Sequence, residues 1–298
     1  MTAREHGAPD QPANDSDGSD SLTAEPARSP ALAKGPSFEV IGGDTGSTVV
    51  LHVPHSSRVI PDWVRSGIVL DDDELVRELG AMTDAHTDLV ADQVARCSRV
   101  RPWQFVNCTS RLVVDPERFP DEREEMAAVG MAAVYTKTST GRSLRGADAA
   151  RDERLLAEFF APYSTALADQ VDDRLTAVGR AVIFDLHSFT LRPQRYELHQ
   201  DDARPDICLG EDRTHTPGWL MAAARSALSG FGDVRVNEPF GGTYVPLRHY
   251  ETDHRVSSLM IEIRRDLFTR ADASPDPDRI ARLGAAIAEI VNEAERQG

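Results

Sequence analysis

Histidine stands at the end of two apolar runs in this sequence. Residues 182–186 lead directly into His187, and residues 48–53 lead through one proline to His55. In open α/β sheets, buried strands present ligand-binding side chains at their carboxyl ends, so both imidazoles could face one point. Imidazole is a common ligand of hydrolytic zinc, and the pattern therefore favours metal-assisted hydrolysis.

An acidic residue interrupts a third apolar run, at 258–263. Glu262 occupies a position where a buried strand normally carries an aliphatic side chain. An ionised carboxylate is costly to bury unless it is paired, close to a metal or protonated. Two interpretations follow: Glu262 forms a salt bridge with Arg264 or Arg265, or it is a general base beside metal-activated water.

A zinc site of this type needs a third protein ligand, often a carboxylate. The segment 83–88 contains two candidates, Asp84 and Asp88, at the start of a predicted helix. Asp84 is the favoured ligand, although an acidic residue there is also typical of a first helical turn, where it interacts with the helix dipole. His52 alternates with the apolar residues of its strand, and we interpret it as a hydrogen-bonded core histidine instead of a ligand.

Alternating strands and helices must position these side chains. Strands are predicted at 48–53, 103–107, 111–115, 181–186, 206–209, 233–236 and 258–263. Helices are predicted at 72–80, 84–97, 147–178, 217–229 and 277–295, and Pro162 is expected to kink or divide the third of them. This order predicts a single α/β domain with a central, mostly parallel or mixed sheet flanked by helices.

The composition of residues 1–36 differs from that of the rest of the chain. This segment is rich in Asp, Ser, Pro, Gly and Ala, and its few large apolar side chains cannot offset the entropy of ordering. We predict a disordered tail there and one globular domain at 37–298. No run reaches the roughly 18 apolar residues of a membrane span. The sequence shows neither a secretory signal nor a disulfide framework, so we expect a cytoplasmic protein.

The formal net charge of −16 argues against a nucleic-acid partner, because phosphate binding needs a basic surface. A small acidic ligand is compatible with this charge, since screening over roughly 8 Å makes local charges decisive. Ser56 and Ser188 each follow a histidine and would suit a serine hydrolase, but no nucleophile elbow supports either one. The metal-assisted interpretation is therefore preferred.

Motifs along 48–268 resemble the N-formylglutamate amidohydrolase family and occur in that family's order. They are Val-Pro-His-Ser at 53–56, Ser-Arg-Leu-Val-Val-Asp at 110–115, Arg-Phe-Pro at 118–120, Asp-Leu-His-Ser at 185–188, Asn-Glu-Pro-Phe-Gly-Gly at 237–242 and Met-Ile-Glu-Ile-Arg-Arg at 260–265. The family is similar in fold to the zinc carboxypeptidases. The resemblance implies a zinc amidohydrolase that removes formate from N-formyl-L-glutamate, with histidine degradation as its pathway.

The resemblance implies that Zn²⁺ is held by His55, His187 and Asp84, with Glu262 as the general base. One departure from the related fold bears on the third ligand. Zinc carboxypeptidases have a glutamate three residues after their first histidine, whereas this chain has Arg58 there. The carboxylate must therefore come from elsewhere, and Asp84 is the choice compatible with the family.

N-formylglutamate carries two carboxylates, so an acidic enzyme needs a local group of arginines to bind it. Arg111, Arg118 and Arg264 are the candidates, because they lie within the family-like motifs, and Asn237 could add a polar contact. Two alternatives stay open: a zinc hydrolase of the same fold acting on another N-acyl amino acid or small peptide, and a non-catalytic protein that binds acidic metabolites. The sequence does not predict an oligomeric state.

Overall fold

A computed structural model describes residues 37–197, 200 and 203–297. The tail predicted at 1–36 lies outside the described residues. The described part of the chain contains a seven-stranded mixed sheet flanked by helices, which confirms the predicted α/β fold class. None of the helices in these ranges combines the length and the hydropathy that a membrane crossing requires.

The sheet has the strand order β1-β3-β2-β4-β7-β5-β6. The strands are β1 (Phe38–Ile41), β2 (Val49–Val53), β3 (Trp103–Asn107), β4 (Ala181–Phe189), β5 (Ile207–Gly210), β6 (Val234–Val236) and β7 (Val256–Arg264). Strand β1 pairs antiparallel with β3, and β5 pairs antiparallel with β7. The other neighbouring pairs are parallel. Strands β2, β4 and β7 therefore lie side by side and end at the same edge of the sheet.

Helices cover both faces of the sheet. They are α1 (Asp62–Arg65), α2 (Asp72–Met82), α3 (Thr87–Cys97), α4 (Ala149–Leu155), α5 (Ala161–Val178), α6 (Gly218–Leu228) and α7 (Pro277–Arg296). Side chains of β2 and β4 alternate between the faces, with Leu51 and Phe184 in one apolar cluster and Val50 and Ile183 in others. Helices α3, α6 and α7 contribute to the first cluster and α5 to the others. Burial on both faces explains why the central strands read as continuous apolar runs.

A π-helical turn at Leu156–Phe160 separates α4 from α5. Pro162 lies two residues after this turn, and its ring nitrogen has no hydrogen to donate to the carbonyl four residues earlier, which lies within the turn. The interruption predicted within the helix at 147–178 is therefore present, and its position follows from the missing hydrogen bond.

Two predicted elements near the candidate site differ from the observed ones. Residues 111–115 form a turn instead of a strand, because Ser110 accepts the N–H of Leu112 at its hydroxyl and the N–H of Val113 at its carbonyl. The helix predicted to begin at 84 begins at Thr87, because His86 has a left-handed φ of 65°. Asp84 therefore lies in the turn that precedes α3. The edge strand β1 has no counterpart among the predicted strands.

Candidate metal and catalytic site

A cleft of about 550 Å³ opens where the central parallel strands end. His55 follows β2 by two residues, His187 belongs to β4 and Glu262 to β7. His187 and Glu262 are direct neighbours in the register between β4 and β7. All three side chains line the cleft, as expected for residues at the carboxyl ends of parallel strands.

Three donor atoms from separate elements converge beside this cleft. His187 Nδ1 lies 3.0 Å from Asp84 Oδ2 and 3.4 Å from His55 Nδ1, and the third separation, His55 Nδ1 to Asp84 Oδ2, is 3.6 Å. The backbone N–H of Asp84 donates to the carbonyl of His55 at 2.9 Å, which holds the two residues together. Donors at zinc-bond length around a tetrahedral zinc lie roughly 3.3 Å apart. The three separations therefore fit a zinc site, and Asp88, the other carboxylate considered, is exposed.

The Nε2 atom of each imidazole lies against a further carboxylate, a different one for each ring. His55 Nε2 lies 2.9 Å from Asp115 Oδ1, and His187 Nε2 lies 3.1 Å from Asp185 Oδ1. The same oxygen of Asp185 lies 2.8 Å from His52 Nδ1. Carboxylates behind metal-binding histidines fix the ring orientation and raise the basicity of the free nitrogen. The Nδ1 atoms are therefore the pair presented to a ligand, and His52 has the hydrogen-bonded position predicted for it.

Glu117 is a competing carboxylate that the sequence did not single out. Its Oε2 lies 3.5 Å from His55 Nε2 and its Oε1 3.4 Å from His187 Nε2, a spacing that could also hold a metal. Both Nε2 atoms, however, already lie closer to other carboxylates, at 2.9 Å from Asp115 and 3.1 Å from Asp185. Among the described residues, the polar contacts of the two Nδ1 atoms are with each other and with the Asp84 carboxylate. The donor set on the Asp84 side is therefore the better one.

The site contains more buried negative charge than its own cations offset. Although burial acts to raise it, hydrogen bonds from His187 and His55 hold the pKa of Asp84 well below its usual range. Although burial opposes the charged imidazole, the carboxylates of Asp185 and Glu117 hold the pKa of His187 well above its usual value. Protons on the imidazoles thus balance the carboxylates in the metal-free chain. A divalent cation bound by the same donor atoms would replace these protons. The charge of the site therefore also fits a metal.

Glu262 has a buried carboxyl group without a fixed partner. The residue is only 8% exposed, and its Oε2 has no hydrogen-bond partner among the described residues. Burial raises the pKa of this carboxyl to about 8, against the opposing charge of His187. Neither Arg264 nor Arg265 forms an ion pair with it in the described part of the chain, so the salt-bridge interpretation does not hold. An unpartnered buried oxygen facing a cleft is suited to hold and transfer a proton.

Arg111 and Arg118, two of the predicted substrate-binding residues, line the cleft. Arg111 Nη2 donates to Asp115 Oδ2 at 2.7 Å, and the Tyr135 hydroxyl donates to the same oxygen at 2.5 Å. Arg118 Nε approaches that oxygen at 3.5 Å but makes no hydrogen bond with it. Arg118 therefore has more donor capacity left for a ligand than Arg111.

The structure does not bring Arg264 to the cleft. Its Nη2 donates to Asp206 at 2.6 Å and its Nε to Asp266 at 2.7 Å, and these two ion pairs hold the guanidinium outside the lining. The next residue, Arg265, lines the cleft in its place and lies 3.6 Å from Asp84 Oδ1. The chain turns into a 3₁₀ helix at Arg265–Leu267, and this turn redirects the second arginine toward the site.

Asn237 also lies outside the lining of the cleft. It has a left-handed φ of 54°, and its Oδ1 accepts the N–H groups of Glu211 at 3.0 Å and Gly242 at 3.2 Å. Asparagine is suited to this backbone conformation and to such local hydrogen bonds. Asn237 therefore shapes the loop at 237–242, from which Phe240 reaches the cleft, instead of contacting a ligand itself.

Comparisons with known proteins bear on the family and the fold of the chain. The sequence model of a family described as N-formylglutamate amidohydrolase matches residues 47–269. The N-formylglutamate amidohydrolase of Ralstonia eutropha JMP134 superimposes with a TM-score of 0.73 at 20% identity, over 88% of this chain and 98% of that one. A gene product of Agrobacterium tumefaciens gives 0.67 at 21% identity, over 88% and 96%. At these identities the structures show a shared fold.

A metallo-carboxypeptidase from Pseudomonas aeruginosa also matches, with a TM-score of 0.34 at 12% identity, over 84% of this chain and 57% of that one. A similarity of this size is too slight to support a conclusion about the site. No curated protein matches the sequence.

The two competing carboxylates can be separated by zinc affinity. Asp84→Asn should weaken zinc binding by at least about 100-fold, because it removes a charged ligand, whereas Glu117→Gln should weaken it less than about tenfold. Competition with a chromophoric chelator measures both, and Asp88→Asn, at the exposed alternative, is the control. Retained affinity in Asp84→Asn with loss in Glu117→Gln would place the metal on the Nε2 side.

The buried carboxyl of Glu262 should make the metal-free protein less stable as the pH rises. The pKa of this carboxyl is about 8 in the folded chain against an ordinary value of 4.5. The stability that its protonation contributes is therefore complete below pH 4.5 and is lost as the pH rises through 8. Relative to wild type, Glu262→Gln should therefore gain on the order of a few kcal/mol between about pH 5 and pH 9. Denaturant unfolding with a chelator present measures the gain. The exposed Glu289→Gln should show none, and a pH-independent difference for Glu262→Gln would contradict the assignment.

Proposed function

The chain belongs to the N-formylglutamate amidohydrolase family, and from this premise we propose that it hydrolyses N-formyl-L-glutamate to L-glutamate and formate with zinc as its cofactor. The observation that carries the proposal is the convergence of His55, His187 and Asp84 beside the unpartnered carboxyl of Glu262. Family membership supports the hydrolase class and the formyl substrate. The spacing and charge of the donor set support the zinc dependence.

His55 and His187 would hold zinc through Nδ1, and Asp84 through Oδ2. Two nitrogens and one carboxylate oxygen are a donor set typical of hydrolytic zinc, in which a fourth position stays open for water or substrate. Zinc bound there would supply Lewis acidity toward the amide carbonyl and an attacking water. Asp115 and Asp185 keep the imidazoles oriented through their Nε2 atoms.

Glu262 is the residue suited to move protons. Its carboxylate accepts a proton from the attacking water and returns it to the amide nitrogen as the C–N bond breaks. Burial keeps the pKa of this group near 8 in the metal-free chain, and a neighbouring divalent cation would lower it into the range where the base form dominates at neutral pH. A protein that only binds acidic metabolites has no need of such a group, so the non-catalytic alternative is less well supported.

Arg118 and Arg111 are suited to bind the carboxylates of the substrate. A guanidinium can hold a carboxylate through two parallel hydrogen bonds, and Arg118 Nε lacks a hydrogen-bond partner in the described structure. Arg111 is engaged by Asp115, so its contribution is more electrostatic than directional. Positive charge at these two residues, together with a bound divalent cation, would let a chain of net charge −16 accept a dianion.

Formate release tests both the substrate and the base. The zinc-loaded wild type should release formate from N-formylglutamate, and removal of zinc should abolish the activity reversibly. Glu262→Gln should keep its zinc but lose at least about 100-fold in kcat, the lower range for loss of a general base. Elemental analysis and a coupled formate assay measure the two quantities, with Glu289→Gln as the control. Near-normal turnover in Glu262→Gln would remove Glu262 from the mechanism.

The arginine assignment is tested by KM. Arg118→Ala should raise KM for N-formylglutamate about 10- to 100-fold, the range expected for a lost charge-assisted hydrogen bond. Arg264→Ala is the matched control, because its ion pairs lie outside the cleft, and it should leave KM unchanged once thermal melting shows that the variant is folded. Equal effects in the two variants would mean that substrate binding does not depend on the position of Arg118.

A further inference from the structure

We propose that the enzyme also accepts N-acylglutamates whose acyl group is larger than formyl, and that Phe119, Leu247 and Tyr250 hold the acyl chain. Together these three residues form the outer apolar wall of the cleft. The proposal rests on the proposed function and extends it to the acyl half of the substrate.

The size of the cleft is the first observation. A volume of about 550 Å³ lies within the range that holds drug-sized ligands, whereas N-formylglutamate has only about a dozen non-hydrogen atoms. A formyl group carries nothing but hydrogen beyond its carbonyl, so it has no apolar surface to place against a wall. The substrate suggested by the family would therefore leave part of this cleft to water.

The outer apolar wall is built from two loops that meet across the cleft. The rings of Phe119 and Tyr250 pack edge to face with centroids 6.2 Å apart, and Leu247 is 38% exposed beside the cleft. Single exposed apolar residues are normal on protein surfaces, but a concave group of them is typical of a ligand site. The wall thus offers apolar area that a bound chain would remove from water.

Polar contacts hold the wall in place. The carboxylate of Glu124 accepts the backbone N–H of Phe119 at 2.9 Å, and the guanidinium of Arg123 stacks on the Phe119 ring, 4.7 Å from its centroid. Tyr250 stacks on His215 with centroids 5.9 Å apart. A wall that is already ordered loses little entropy when a ligand binds, which favours affinity for an apolar group.

Charge decides which end of the substrate lies against the wall. Arg123, which stacks on Phe119, is neutralised by Asp121 at 2.6 Å, and the carboxylates of Asp212 and Glu251 add negative charge beside Tyr250. An anionic glutamate end would be repelled there and is better placed at Arg118. The neutral acyl end is therefore the part that fits the wall.

The chemistry needs no further reactant. Water adds its oxygen to the acyl carbon, the amide C–N bond breaks and the nitrogen takes the proton. The products are glutamate and a fatty or aromatic carboxylate in place of formate.

Substrate chain length tests the proposal in the zinc-loaded full-length protein. KM should fall at least about tenfold from N-acetylglutamate to N-hexanoylglutamate, since each buried methylene is worth up to about fourfold in affinity. Leu247→Asn and Phe119→Ala should each remove most of this gain. The control Val69→Asn, at a residue that is 62% exposed and outside the cleft, should keep it.

The outcomes separate this proposal from the proposed function. Hydrolysis of N-formylglutamate without any fall in KM along the acyl series would overturn the acyl site and leave the family activity intact. Absence of hydrolysis for every N-acylglutamate would overturn both. A gain for N-formylglutamyl-phenylalanine with none for N-hexanoylglutamate would place the wall on the amine side and also overturn the proposal.

Discussion

Negative charge gathered around two imidazoles is the constraint on which the rest of the site depends. The buried or half-buried carboxyl groups involved are Asp84, Asp115, Glu117, Asp185 and Glu262. Burying so many acids is unfavourable unless protons, arginines or a cation neutralise them. In the metal-free chain, raised imidazole pKa values and a protonated Glu262 do this. The arrangement is difficult to explain as a device for stability alone, and it fits the proposed binding of a divalent metal.

The parallel sheet is what makes this concentration of charge possible. Strands β2, β4 and β7 are neighbours whose carboxyl ends share one edge, and their register sets His187 opposite Glu262. The strands are covered on both faces by helices, so the ends of the strands are the places where polar side chains can collect. Rigid strands hold His187 and Glu262 in the cleft, while the segments that follow strands bring His55, Arg111 and Arg118 to the same cleft.

The sequence was sufficient for residues whose positions follow from strand periodicity. His55, His187 and Glu262 each stand within or just after an apolar run, and the α/β class followed from the same runs. It was insufficient where a turn decides the direction of a side chain. Glu117 belongs to the turn region that followed an incorrectly predicted strand, and no periodic pattern marks its contact with the histidines. At the end of β7, Arg264 was predicted to face the cleft, but its neighbour Arg265 does so. The 3₁₀ helix at Arg265–Leu267 decides this, and no sequence pattern predicted that helix.

Asp115 joins two parts of the site that are usually considered separately. One of its oxygens holds His55, and the other receives Arg111 and the Tyr135 hydroxyl. An anion that draws Arg111 away changes how strongly this carboxylate polarises the imidazole, and by thermodynamic reciprocity the occupancy of the imidazole changes the affinity for the anion. A change at Arg111 that alters which anion is bound would therefore also disturb His55, the proposed metal ligand. Leu247 of the outer apolar wall carries no polar group that could take part in this coupling, which makes changes there an easier route by which related enzymes could diverge in substrate.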